Sequence, residues 1–171
     1  MQGTDLEPSG VLVTDLDGSL YKYDRTIWTG DFTKEISEDI LARLTFLPWV
    51  QRRVETIRAM RPLYVNTGRG YALEEATRNC LARDGLGHAI IHVISANSLD
   101  DYIAQKKAAM DKQIAKAYID AAGMRNIWVI EDSEPILDYL VDKYSDWPRL
   151  IIIAVKNGDP EVVVNNYEVP I

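Results

Sequence analysis

Cysteine is nearly absent from this sequence: Cys80 is the only one in 171 residues. A disulfide within the chain and a zinc site built on several cysteines are therefore excluded. Histidine is almost as scarce, with only His88 and His92. Any bound metal must then be held by oxygen, which suits Mg²⁺ or a similar hard ion. No apolar run is longer than 150–155, far short of the roughly 20 residues of a membrane-spanning helix, so no membrane partner is expected. Residues 1–10 have neither a basic start nor an apolar segment, so no secretory signal is expected and a cytoplasmic location is. Positive charge is in deficit, 19 Lys and Arg against 26 Asp and Glu, for a formal charge of −7. That balance disfavours sequence-blind nucleic-acid binding, and no tight sequence-specific DNA binding is expected. It leaves room only for a local basic groove.

What is present is ordinary globular composition, 47% hydrophobic and 26% charged, at a length that suits one domain spanning 1–171. Strand and helix signals alternate. Short apolar, β-branched runs at 11–14, 63–66, 88–95, 127–130 and 150–155 read as strands, and 161–165 as a sixth after the turn cluster at 157–160. Helical spacing or caps mark 32–44, a segment opening at Pro48 and continuing through Val54 and Ile57, 71–83 with Gly85 as its stop, a long helix after Ser98 that ends at Gly123, and 133–144. The pattern predicts an α/β, three-layer Rossmann-like fold around a mainly parallel sheet of about five to six strands. The gaps between strands are filled by helix, which leaves space for a small appendage at 21–47 and none for a large cap.

Ligands of open parallel sheets bind beyond the C-terminal strand ends. The first strand ends in Asp15-Leu16-Asp17-Gly18-Ser19, the second in Asn66-Thr67-Gly68-Arg69, and the fourth in Glu131-Asp132-Ser133. Carboxylates gathered at one edge repel one another unless a cation sits among them. A hard divalent ion resolves that repulsion and presents open positions to a phosphate. A carboxylate there can attack phosphorus, and a second one can move a proton to the leaving oxygen. Gly18 lets the chain turn sharply after Asp17.

VLVTDLDGSLY (11–21), YVNTGR (64–69), a downstream lysine and WVIEDS (128–133) resemble, in this order, the four motifs of the haloacid-dehalogenase (HAD) superfamily of phosphohydrolases. The resemblance covers residues 11 to about 155. It implies the HAD-like fold, Mg²⁺ as cofactor, and an aspartyl-phosphate formed on Asp15, with Asp17 as general acid/base. It implies Thr67 as the phosphate-binding hydroxyl, with Ser19, Gly68 and Arg69 on the substrate side. Asp15, the main-chain carbonyl of Asp17, Asp132 and Glu131 beside it would form the metal site. The third-motif lysine is best matched by Lys112, with Lys106, Lys107 and Lys116 as rivals. Ser19 stands where threonine is commoner, Glu131 where Gly or Asp is usual, and Asp138 comes late for a second acid of the fourth motif. The short spacing resembles capless members, which act on bulky substrates such as polynucleotide ends or proteins. A weaker likeness links NTGR, IEDS and Ile27-Trp28 to polynucleotide-phosphatase and RNA-repair branches. The expected substrate is thus a phosphorylated small molecule or a nucleic-acid end, with Trp28 as a candidate contact.

Plainer readings stand beside these. Four lysines on one long helix also suit a solvated face, as do Arg52, Arg53, Arg58 and Arg61. His88, His92, Cys80, Trp49 and Trp128 read as structural. Two non-hydrolytic functions compete, a receiver-like phosphoacceptor domain and a phosphate-ligand-binding protein that has lost turnover.

Overall fold

The computed structural model describes residues 5–22 and 41–169. The first motif's strand, β1 (Val11–Asp15), lies at the centre of one sheet. Two short helices follow, α1 (Pro48–Gln51) and α2 (Val54–Ala59), and then β2 (Leu63–Thr67). A 3₁₀ turn at Tyr71–Leu73 leads into α3 (Glu74–Arg83), β3 (Ile90–Val93) and the long α4 (Leu99–Ala121). The remainder is β4 (Ile127–Glu131), α5 (Glu134–Tyr144), β5 (Leu150–Lys156) and β6 (Asp159–Asn165). The sheet order is β3-β2-β1-β4-β5-β6, parallel except for β6, which returns antiparallel to β5. This is the expected α/β, Rossmann-like arrangement of helices on both faces of a mostly parallel sheet.

The central strands are apolar throughout because both faces are covered. Along β4, Trp128 and Ile130 enter one core with Trp49, Ile57 and Leu81 of the α1–α3 side. Ile127 and Val129 enter the other, with Met110, Ile114 and Ile136 of α4 and α5. The same alternation puts Leu12 in the first core and Val11 and Val13 in the second. Carried two residues on, it sends Asp15 and Glu131 toward α4, while Thr67, in step with Leu63 and Val65, belongs to the opposite face.

Two elements differ from their sequence-based bounds, and a third cannot be compared. The helix opening at Pro48 breaks after Gln51, because the Arg53 N–H turns to the carbonyl of Val50 while its guanidinium takes the Trp49 carbonyl at 2.9 Å. The third strand is shorter than 88–95, since His88 sits before it, its Nε2 3.2 Å from the Met60 carbonyl. The helix expected over 32–44 lies mainly outside the described residues, and so does most of the appendage at 21–47. Elsewhere the local signals hold. The Ser98 hydroxyl accepts the Asp101 N–H and caps α4. Gly85 and Gly123 have left-handed φ of +81° and +76° where their helices stop.

Candidate active site

Strands β2 and β3 lie on one side of β1, and β4 and β5 on the other, so the chain reverses direction between β1 and β4. A crevice at the C-terminal ends of those two strands is the expected ligand position of such a sheet. A cleft of 1190 Å³ opens there, and Asp15, Asp17, Gly18, Gly68, Tyr102 and Asp132 line it at the strand ends. Lys22, Leu47, Leu99 and the β5–β6 turn at 156–159 form its outer walls.

Asp15 is the centre of the contacts. Lys106 Nζ donates to its Oδ1 at 2.6 Å and to the Asn66 carbonyl at 3.2 Å. The Ser19 hydroxyl donates to Asp15 Oδ2 at 3.2 Å and reaches Asp132 Oδ1 at 3.4 Å. One carboxylate oxygen from each of Asp15, Glu131 and Asp132 lies within 4.8 Å of the others. Glu131 is fully buried, and its Oε1 accepts the N–H groups of Asp132 and Ser133 at 3.0 Å each. Its Oε2 has no hydrogen-bond donor and lies 3.7 Å from Lys106 Nζ.

The electrostatics follow from burial and crowding. Burial, then Asp15, push the Glu131 carboxyl up to about 7 in spite of Lys106. Burial, then Asp15 and Glu131, also push Asp132 well above the carboxylate range. Burial alone would lower the pKa of Lys106, but Asp15, Tyr102 and Glu131 outweigh it and raise it, so this lysine is a permanent cation. One cation faces three carboxyls. The donor set is all oxygen, it carries an oxygen without a donor, and it is short of positive charge, so these residues fit a hard divalent cation. The backbone is shaped around them. Gly18 has φ +83°, and a Cβ there would lie 2.2 Å from Asp132 Oδ2, so only glycine keeps both the turn and this carboxylate in place.

Asp17 is placed differently from its neighbours. Arg69 grips both of its oxygens, Nε to Oδ2 and Nη2 to Oδ1, each at 2.9 Å. Its side chain is therefore outside the carboxyl cluster expected to hold metal. Arg69 itself is buried, with its guanidinium also near Thr77 and the Tyr21 ring. It is a clamp on Asp17 rather than an arginine presented to a ligand. Thr67 sits at the same strand edge, 1% exposed, with its hydroxyl accepting the Arg69 N–H at 3.2 Å. Trp28 lies outside the described residues.

The lysine is corrected. Lys106, not Lys112, reaches Asp15, while Lys112 and Lys116 are exposed and Lys107 sits over the Tyr139 ring at 5.1 Å. Helical phase explains it: the buried stripe of α4 runs through Ala109, Met110, Gln113, Ile114 and Ala117, and one turn back from Ala109 and Met110 is Lys106. That stripe was legible in the sequence. Spacing to the fourth motif pointed elsewhere because it takes no account of phase. Three further residues at the site, Asn66, Gln113 and Tyr102, were given no role from the sequence. Asn66 and Gln113 tie β2 to α4 at 2.8 Å beside Lys106. Tyr102, one turn before Lys106, packs its ring on Gly68, where a Cβ would lie 2.5 Å from its Cε2. Burial holds the Tyr102 phenol above its usual value, so it is an O–H donor at neutral pH. The Arg52–Arg61 stretch lies at the surface, as a solvated face does: Arg52 and Arg61 are exposed, Arg58 pairs with Glu55, and Arg61 donates to the Arg58 carbonyl. Asp138 is exposed on α5, away from the cluster. No protein-family model, no curated protein and no solved structure matches this chain significantly.

Proposed function

We propose that this protein is a Mg²⁺-dependent phosphomonoester hydrolase of the capless HAD-like type, working through an aspartyl-phosphate on Asp15. The observation that carries the reading is Asp15 itself: a cleft-lining carboxylate held by Lys106 at 2.6 Å and clustered with Glu131 and Asp132. Lys106 offsets the charge that accumulates as Asp15 meets an anionic phosphoryl group. Each carboxylate oxygen has lone pairs beyond those its present donors use. One Asp15 oxygen attacks phosphorus while the bond from phosphorus to the leaving oxygen breaks, and Asp17 delivers a proton to that oxygen. Water then attacks the same phosphorus, Asp17 takes its proton, and the bond to Asp15 breaks to free inorganic phosphate. Arg69 holds both Asp17 oxygens at rest, so one of these hydrogen bonds opens for each transfer. Asp15, Asp132 and Glu131 Oε2 are the groups that would hold Mg²⁺, which when bound neutralises phosphoryl charge.

The substrate class to test first is a nucleotide or a polynucleotide phosphate end, since the cleft is far larger than a phosphoryl group needs. A receiver-like phosphoacceptor is disfavoured, because that fold orders its strands 2-1-3-4-5 and this sheet runs β3-β2-β1-β4-β5. The deciding experiment incubates the protein with an aryl phosphate, with Mg²⁺ or with chelator, beside Asp15→Asn. Metal-dependent phosphate release that is lost in the variant is expected, by about a thousandfold or more for a missing nucleophile. Unchanged turnover in Asp15→Asn sinks the mechanism. Tight phosphate binding without turnover favours a binding protein instead. Nucleotides, sugar phosphates and 3′- or 5′-phosphorylated oligonucleotides are then compared as substrates.

A further inference from the structure

The cleft changes character along its length. Its inner end is charged, whereas Leu47, Pro48 and Leu99 line its outer part. One exposed leucine alone means little. Leu99, however, is 61% exposed inside the same cleft as the carboxyl cluster. It is the first residue of α4, seven before Lys106, and positions seven apart share one face of a helix. At 1.5 Å per residue the two are roughly 10 Å apart along the axis. A phosphoryl group at Asp15, beside Lys106, therefore leaves room for a leaving group to run outward until it meets Leu99. The other apolar wall is fixed in place. Leu47 N–H donates to the Leu20 carbonyl at 2.8 Å and Lys22 N–H to the Thr45 carbonyl at 3.0 Å, which ties this wall to the loop after Asp17. The β5–β6 turn closes against it, where a Cβ at Gly158 would lie 3.4 Å from Leu47 Cδ2. Lys22 and Asn157, both exposed, add polar groups to the same part of the cleft. Apolar walls with a few polar groups suit a rigid ring on a polar spacer. A flexible chain would lose more internal freedom on the same walls.

We propose that Leu99, with Leu47 and Pro48, forms a base-binding subsite, and that the phosphomonoester at Asp15 is a nucleoside phosphate. The sugar spans the cleft past Lys22 and Asn157, and the base lies on Leu99. The assignment rests on the phosphatase reading and names the leaving group and the residue that selects it.

The test compares kcat/KM for adenosine 5′-monophosphate and ribose 5-phosphate with Mg²⁺ present. Both are esters of a primary alcohol, so their ratio isolates the base. Wild-type protein is expected to favour the nucleotide by about tenfold or more, the size of one ring's apolar burial. Leu99→Gln keeps the side-chain length and makes it polar, and it is expected to lower that ratio about three- to tenfold. Leu99→Met keeps the apolar contact and should hold the ratio within about twofold of wild type. Leu99 is exposed, so the Tm of both variants should stay within about two degrees. A 5′-phosphorylated dinucleotide distinguishes the two sources of a nucleoside phosphate. Turnover of it with the same dependence on Leu99 assigns the subsite to a chain end, and turnover of the mononucleotide alone assigns it to a free nucleotide. A wild-type ratio near one overturns the proposal, and so does a ratio that Leu99→Gln leaves unmoved. In either case the phosphatase reading stands. Wild-type protein that turns over neither these esters nor an aryl phosphate overturns the phosphatase reading and this assignment with it.

Discussion

Lys106 and Lys112 are the same residue type on one helix, yet six positions turn them roughly 120° apart about its axis. One is fully buried against Asp15 and Glu131, the other is exposed. Their replacements should therefore differ sharply. Lys106→Met removes the cation that faces the buried Asp15 and Glu131 and the half-buried Asp132, so it is expected to cost about 3–5 kcal/mol of stability. It should also cost about a hundredfold or more in turnover, as loss of a preorganised charge does. Lys112→Met should stay within about 0.5 kcal/mol of wild type. Urea unfolding and aryl-phosphate turnover of the two variants check this, and equal effects would mean the wrong lysine has been placed in the site. Asp17 and Arg69 make a similar point. Sequence order brings them to one strand edge, but only folding pairs them so that both Asp17 oxygens are gripped.

At the scale of elements, α4 is the member on which the site depends. It packs across β1, β2 and β4 and carries both Tyr102 and Lys106. Its outer side is tied to α5 through Asp111, which accepts the hydroxyls of Tyr139 and Tyr144 and pairs with Lys143 at 3.1 Å. Burial tends to raise the Asp111 pKa, but the hydrogen bonds from Tyr139, Tyr144 and Lys143 outweigh it and hold the carboxyl below its usual value. The stabilisation is therefore complete above the unfolded pKa, about 3.9, and is lost as pH falls through the lower folded value. Wild-type protein should lose more Tm than Asp111→Asn on acidification below about pH 4, and parallel Tm profiles would show that the junction contributes nothing. The helix itself was legible from its Ser98 cap to its Gly123 stop. Its phase toward the site was legible too, in the stripe through Ala109, Met110 and Ile114.

For the whole molecule the governing fact is an unbalanced charge at the centre of the sheet. Three carboxyls and one lysine meet where β1 and β4 end, and burial pushes Glu131 and Asp132 up in compensation. A divalent cation that binds only the folded chain stabilises it, by about 2.7 kcal/mol at a hundred times its Kd. For a chain of this size that is roughly 5–10 °C in Tm. Mg²⁺ titrated by differential scanning calorimetry should raise the wild-type Tm and leave Asp132→Asn nearly unmoved. A wild-type Tm indifferent to Mg²⁺ and to chelator would remove the metal site.

Element type, order and the parallel sheet were determined by local chemistry: β-branched apolar runs, caps, glycine stops and the alternation of strand with helix. The acids that end β1 and β4 were legible for the same reason, because an apolar strand that stops in carboxylates declares where its end lies. Tertiary structure alone decided which partners those acids meet. Asp15 faces Lys106 because strand alternation and helix phase point both into one layer. Asp17 faces Arg69 because β1 and β2 lie side by side and the turns after both strands meet at one edge. Tyr102 joins them because Gly68 has no side chain to keep its ring away. Such pairings depend on crossings between segments distant in the chain, and no local pattern encodes them.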